Sequence, residues 1–128
     1  MPGRVLLDTN VIIAFFSGEK AVSKQFTESE VFVSSTVLGE LYYGARKSAH
    51  ATANLAKIDQ FAAAVQVLSC DVVTAQLYGQ IRDRLRLKGR PIPENDIWIA
   101  AAAIQHGLTL ATRDDHFKEV DGLPIKNW

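Results

Sequence analysis

The sequence predicts an α/β domain in which a short, mainly parallel sheet is covered by helices on both faces. Three observations carry this. Short apolar runs such as Arg4–Leu7 and Leu108–Thr112 suit strands buried on both sides. Longer segments between them carry helix starts and stops. Strand and helix signals then alternate along the whole chain, the pattern of parallel strands joined by helical crossovers.

The elements follow in order. After the first strand, Asp8, Thr9 and Asn10 are all good cap residues, so a helix begins near Val11 and breaks at Ser17-Gly18. Glu19 to Thr27 reads as a second, more polar helix. Val31 to Ser34 reads as a strand, with Ser35 or Thr36 capping a helix that reaches about Lys47. His50 to Val65 is alanine-rich and amphipathic, and Val65 to Ser69 is a third strand. Asp71 caps a long helix to about Lys88, which Gly89 stops. Pro91 and Pro93 frame a loop before a helix over Glu94–His106, stopped by Gly107. Leu108 to Thr112 is the fourth strand, Asp114 to Val120 a helical turn, and Leu123 to Ile125 a final edge strand. No repeat or linker divides the 128 residues, so one domain spans 1–128.

Composition excludes several classes. Lys plus Arg and Asp plus Glu both number 14, so bulk charge does not by itself point to nucleic acid. The single Cys70 excludes an intramolecular disulfide and a cysteine-based zinc site; beside VQVLS it reads as a buried structural thiol. No signal peptide is expected, and the longest apolar run, Ile97 to Ile104, is too short to cross a membrane. A reducing cytoplasm is the expected location.

Four acids fall where such a fold builds its site. Asp8 closes the first strand, Asp114 follows the fourth, Asp96 heads the apolar helix, and Glu40 lies in STVLGELYYGA. In open parallel sheets, sites lie beyond the carboxyl ends of the strands, so Asp8 and Asp114 share one rim. Each acid also has a plain structural role open to it. Asp8 and Asp114 suit helix caps, Asp96 suits the positive end of a helix dipole, and Glu40 suits an exposed helix face. Two features weigh against those roles. Glu40 has no basic partner within a turn, and Asp96 enters eight consecutive apolar residues. Four converging carboxylates require a cation, and a hard divalent ion, Mg²⁺ or Mn²⁺, prefers oxygen ligands. Carboxylate-held Mg²⁺ is most often used for phosphate chemistry.

Thr9, Asn10 and Thr112 are placed to orient the acids, and Asp115 doubles Asp114; each also suits a cap or turn. The histidines at 50, 106 and 116 attract no role. Arg82, Arg84, Arg86, Lys88 and Arg90 form a basic stretch leading toward Asp96. It suits RNA phosphates, and equally a helix end whose cations complement the dipole. Phe15, Phe16, Tyr42 and Tyr43 suit the core, or a groove for a partner helix.

With those residues in hand, the chain resembles the PIN-domain family, and more narrowly the VapC-type toxins of bacterial type II toxin–antitoxin pairs. The resemblance rests on VLLDTNVIIAFF, VSSTVLGELYYGARKS, GRPIPENDIWIAAAAIQHGLTLATRDDHFKEV and the closing Trp128, in that order. It implies an α/β/α sandwich and a metal-dependent endoribonuclease that hydrolyses RNA with water as nucleophile. It implies that Asp8, Glu40, Asp96 and Asp114 are the catalytic and metal-holding acids, with Mg²⁺ or Mn²⁺ as cofactor. A cognate antitoxin and a homodimer are the implied partners. The alternative is a PIN-like module that binds RNA or protein without cutting. A phosphotransferring hydrolase fits less well, since it wants Asp where Asn10 stands, and a receiver domain leaves Glu40 and Asp96 unexplained.

Overall fold

The computed structural model describes residues 3–128. Five strands form one sheet: β1 (Gly3–Leu7), β2 (Ser29–Ser34), β3 (Gln66–Leu68), β4 (Thr109–Ala111) and β5 (Ile125–Lys126). Their spatial order is β3-β2-β1-β4-β5 and every pairing is parallel. Six helices connect them: α1 (Thr9–Phe16), α2 (Lys20–Thr27), α3 (Ser35–Arg46), α4 (Ala51–Ala64), α5 (Val72–Lys88) and α6 (Glu94–Gln105). A 3₁₀ turn spans Asp115–Glu119. Successive residues Val5, Leu6 and Leu7 are all buried. Neighbouring side chains on a strand point to opposite faces, so helices cover β1 on both sides.

Local chemistry explains most element ends. Asp8 caps α1, its side chain accepting the Thr9 N–H, so the helix begins two residues before the sequence suggests. Asp71 and Thr74 form a reciprocal capping box on α5. Gly89 ends that helix at φ +66, a conformation open to glycine at little cost.

Four expectations need correction. The N-cap of α3 is Ser34, not Ser35 or Thr36; its hydroxyl accepts the Val37 N–H at 3.2 Å. β2 begins at Ser29, because parallel pairing with β1 extends back to that residue. The last strand is Ile125–Lys126 rather than Leu123–Ile125, where pairing to β4 sets its register. Cys70 is exposed. It follows β3, which lies at the sheet edge and leaves Gln66 and Val67 exposed, so the apolar run does not lead into the core.

The aromatic residues divide. Phe15 stacks on Phe26 with ring centroids 4.3 Å apart, and Phe16 meets Phe61 edge-on at 5.5 Å. Both contacts pack α1 against its neighbours. Tyr43 is exposed, with Lys47 over its ring. Among the described residues no helix is long and apolar enough to cross a membrane.

Candidate active site

The carboxyl ends of the central strand β1 and its neighbour β4 bring Asp8 and Thr112 together. Asp8 is 3% exposed, and both of its oxygens are engaged. Oδ1 accepts the Thr9 N–H at 2.8 Å and Oδ2 accepts the Thr112 hydroxyl at 2.7 Å. The same Thr112 oxygen accepts the Asp114 N–H at 3.1 Å. Thr9 in turn donates its hydroxyl to Glu40 Oε1 at 3.1 Å. Two threonines on either side of Asp8 therefore tie three of the four predicted acids into one network.

Asp96 enters from another direction, in the first turn of α6. Pro93 is the N-cap there and offers no side-chain acceptor. The carboxylate meets His116, with Oδ2 2.5 Å from the ring Nε2. Asp114 precedes the 3₁₀ turn but caps nothing with its side chain. It lines a cleft of about 520 Å³ together with Glu40, Asp96 and His116. Asp96 thus keeps the helix-dipole role open to it in the first turn of α6, while the Asp114 side chain makes no cap bond. Asp8 does serve as a cap, and accepts Thr112 as well.

Burial and mutual repulsion show in the acidities. Burial pushes the Asp8 carboxyl above its ordinary range; the Thr112 and Thr9 hydrogen bonds oppose this, and the charges of Asp96 and Asp114 add to it. Burial also raises Glu40 against its Thr9 bond, with Asp8 and Asp96 adding. Asp96 is raised by burial, opposed by His116 and reinforced by Asp114. Among the described residues no three Asp, Glu, His or Cys side chains already stand in a closed ligand set. Mg²⁺ does not demand one, since it keeps several waters and is held by one or two carboxylates. The all-oxygen donor set and the raised carboxyls both suit a hard cation.

The remaining expected residues are distributed as follows. Asn10 accepts the Arg113 N–H at 3.4 Å, joining α1 to the segment that carries Asp114. Asp115 is not brought to the cleft: its side chain is 89% exposed and pairs with Lys118 at 3.2 Å. Arg82 donates to the Tyr78 hydroxyl at 2.6 Å, and Tyr78 donates to Glu94 at 2.9 Å. Arg82 and Arg86 line a groove of about 630 Å³ between α5 and α6, which shares Glu94 with the acidic cleft. Arg86 pairs with Asp83 at 2.6 Å. Lys88 reaches the Glu119 carbonyl at 2.6 Å and Asp121 at 3.3 Å, so it fastens the 3₁₀ turn. Arg90 is exposed.

Two residues in or beside the site escaped the sequence reading. His116 lines the cleft, but nothing near it in sequence reveals a partner 20 positions away. Arg113 donates to both Glu19 oxygens, at 3.2 and 2.9 Å, and to the Trp128 carbonyl at 2.7 Å. Its position between Thr112 and Asp114 was the one available hint.

A parallel sheet with acids clustered past the carboxyl ends of its central strands defines the class, an α/β domain of PIN fold. Residues 5–123 match the PIN domain, and the chain belongs to the PIN-domain family. The chain is 36% identical over 129 residues to the tRNA(fMet)-specific endonuclease VapC of Shigella flexneri, covering 98% of each. It is 34% identical over 129 residues to ribonuclease VapC2 of Haemophilus influenzae, again covering 98% of each. Among solved structures it matches a chain of the DNA-bound VapBC complex from Salmonella typhimurium with TM-score 0.92 and 33% identity, over 100% of this chain and 99% of that one. The match to VapBC2 from Rickettsia felis, bound to a DNA fragment from its promoter, has TM-score 0.90 and 30% identity over 98% of both chains.

Proposed function

We propose that this chain is a divalent-metal-dependent endoribonuclease and the toxin of a toxin–antitoxin pair. The observation that carries the chemistry is the network joining Asp8, Glu40 and Asp114 through Thr9 and Thr112, facing Asp96 across one cleft. The names of the relatives, ribonuclease and endonuclease, support the reaction class. The VapBC complexes among the structural neighbours support an antitoxin partner.

Asp8 and Asp96 would hold Mg²⁺ or Mn²⁺, and Glu40 and Asp114 would complete the acidic shell or accept a proton from the attacking water. The cation, when bound, lowers the pKa of water and neutralises charge growing on the phosphate. Thr9 and Thr112 keep the carboxylates aimed by donating to both Asp8 oxygens and to Glu40 Oε1. Water attacks phosphorus, the bond from phosphorus to the 3′-oxygen breaks, and that oxygen takes a proton. The products are a 5′-phosphate and a 3′-hydroxyl. The ribose 2′-hydroxyl is not the nucleophile, so no 2′,3′-cyclic phosphate forms.

The groove of about 370 Å³ that runs from Thr9 and Glu40 past Ile13, Phe16, Leu41 and Ile58 is apolar, with Lys57 on its wall. It suits an amphipathic antitoxin segment lying across the mouth of the site. A homodimer, in a cytoplasmic setting, completes the reading. The test is end-mapping of RNA cut by purified protein with Mg²⁺ or Mn²⁺, alongside Asp96→Asn. Cleavage with 5′-phosphate ends, lost in Asp96→Asn and in EDTA, is the expected result; cyclic ends or equal activity in Asp96→Asn rejects it.

A further inference from the structure

We propose that His116 is a positioning residue that holds Asp96 in the orientation from which it reaches a divalent cation. This rests on the metal reading above. Asp8 and Glu40 are oriented by hydroxyls and a backbone N–H, and Asp96 differently. Asp8 has Thr9 and Thr112, and Glu40 has Thr9. Asp96 has an imidazole: its Oδ2 lies 2.5 Å from His116 Nε2.

The surroundings leave Asp96 little choice of direction. It heads a helix whose next turns are buried at Ile97, Ile99, Ala100 and Ala101. Its side chain is 14% exposed, against 35% for His116. With Oδ2 held by the ring, Asp96 would present its carboxylate to a cation in one orientation. An ionised carboxylate only accepts hydrogen bonds, so Nε2 is the donor of this contact.

The ring itself is anchored. Phe117 is fully buried and fixes the 3₁₀ turn in the core, with its ring centroid 5.0 Å from the imidazole. Lys88 grips the Glu119 carbonyl of the same turn. A rigid arm from the core thus ends on the carboxylate of a neighbouring helix, the arrangement in which an outer hydrogen bond tunes a ligand.

The experiment is calorimetric titration of Mn²⁺ into the full chain at one fixed pH, with circular dichroism confirming the fold of each variant. His116→Ala should weaken Mn²⁺ binding by roughly 10-fold to 100-fold, and His116→Gln should recover most of the loss, because its amide N–H reaches the same oxygen. Unchanged or tighter binding in His116→Ala overturns the proposal, the tighter case showing that His116 competes with the cation. A His116→Gln as weak as His116→Ala overturns it too. A thermal-melt cycle of His116→Ala with Asp96→Ala, run without metal, reads the contact independently. Non-additive shifts are expected, and additive shifts count against the pair. No Mn²⁺ uptake by the unsubstituted chain overturns the metal reading along with this one. Uptake indifferent to His116 overturns this one alone.

Discussion

Thr112 Oγ1 donates to Asp8 Oδ2 at 2.7 Å across 104 positions of sequence, and the two residues are 2% and 3% exposed. The bond closes the rim where β1 and β4 end side by side. It also leaves the Thr112 oxygen free to accept the Asp114 N–H, so one hydroxyl sets the spacing of two acids. Replacing Thr112 with Val keeps the shape and strips one bond from the buried Asp8 carboxylate and one from the Asp114 N–H. The expected loss is roughly 1–3 kcal/mol of stability, read from urea midpoints, with Thr112→Ser close to the unsubstituted chain. A stable Thr112→Val with full activity would show the bond to be incidental.

The raised carboxyls of Asp8, Glu40 and Asp96 fix the sign of a pH effect on the metal-free chain. Their folded pKa values lie above the unfolded ones, so the folded state binds more protons in between. The stability they contribute is present below the ordinary carboxylate range and is lost as pH rises through the raised values. Glu19 and Asp71 are lowered, by Arg113 and by the α5 cap respectively, and act in the opposite sense as pH falls. In EDTA, unfolding midpoints should therefore decline as pH climbs from the carboxylate range toward neutrality, and Asp96→Asn should flatten that decline. A decline of equal slope in Asp96→Asn would show that Asp96 has no part in it.

The same repulsion predicts a response to cation. At neutral pH, Mn²⁺ at about 100 times its dissociation constant should stabilise the chain by about 2.7 kcal/mol through mass action. Asp8→Ala and Asp96→Ala should lose most of the melting-temperature rise. An identical rise in all three proteins would locate cation binding elsewhere.

Arg82 and Arg86 sit in exposed pairs, with Glu94 of α6 and with Asp83 respectively. Such pairs are weak and exchange readily for a phosphate. In an Asp96→Asn background, Arg82→Ala and Arg86→Ala should each lower the salt slope of RNA binding by about one phosphate contact. Lys88→Ala should leave that slope alone, because its amine is spent on the 3₁₀ turn. An unchanged slope in both arginine variants would assign them to the helix surface only.

Much of this was visible in the residues themselves. The helix start at Asp71, and the stops at Gly89 and Gly107, depend on bonds within a few positions, which a linear reading captures. The rim placement of Asp8 and Asp114 followed from strand ends alone. Cys70 was misplaced because burial after β3 depends on where that strand sits in the sheet, and it sits at an edge. His116 went unnoticed because its chemistry belongs to Asp96, on another helix. The basic stretch read as a unit, yet folding splits it: Arg82 and Arg86 face the groove while Lys88 turns to the opposite connection.

Alternation of apolar runs with capped helices, and acids at strand and helix ends, were enough to determine a parallel α/β domain with an acidic rim, because capping and periodicity act over a few residues. Tertiary structure alone decided that Thr112 would hold Asp8, that His116 would meet Asp96, and which acid of the Asp114-Asp115 doublet would line the cleft. Those outcomes depend on strand order and on how the 3₁₀ turn docks. They are set by long-range packing of the sheet and α6, which no local pattern records.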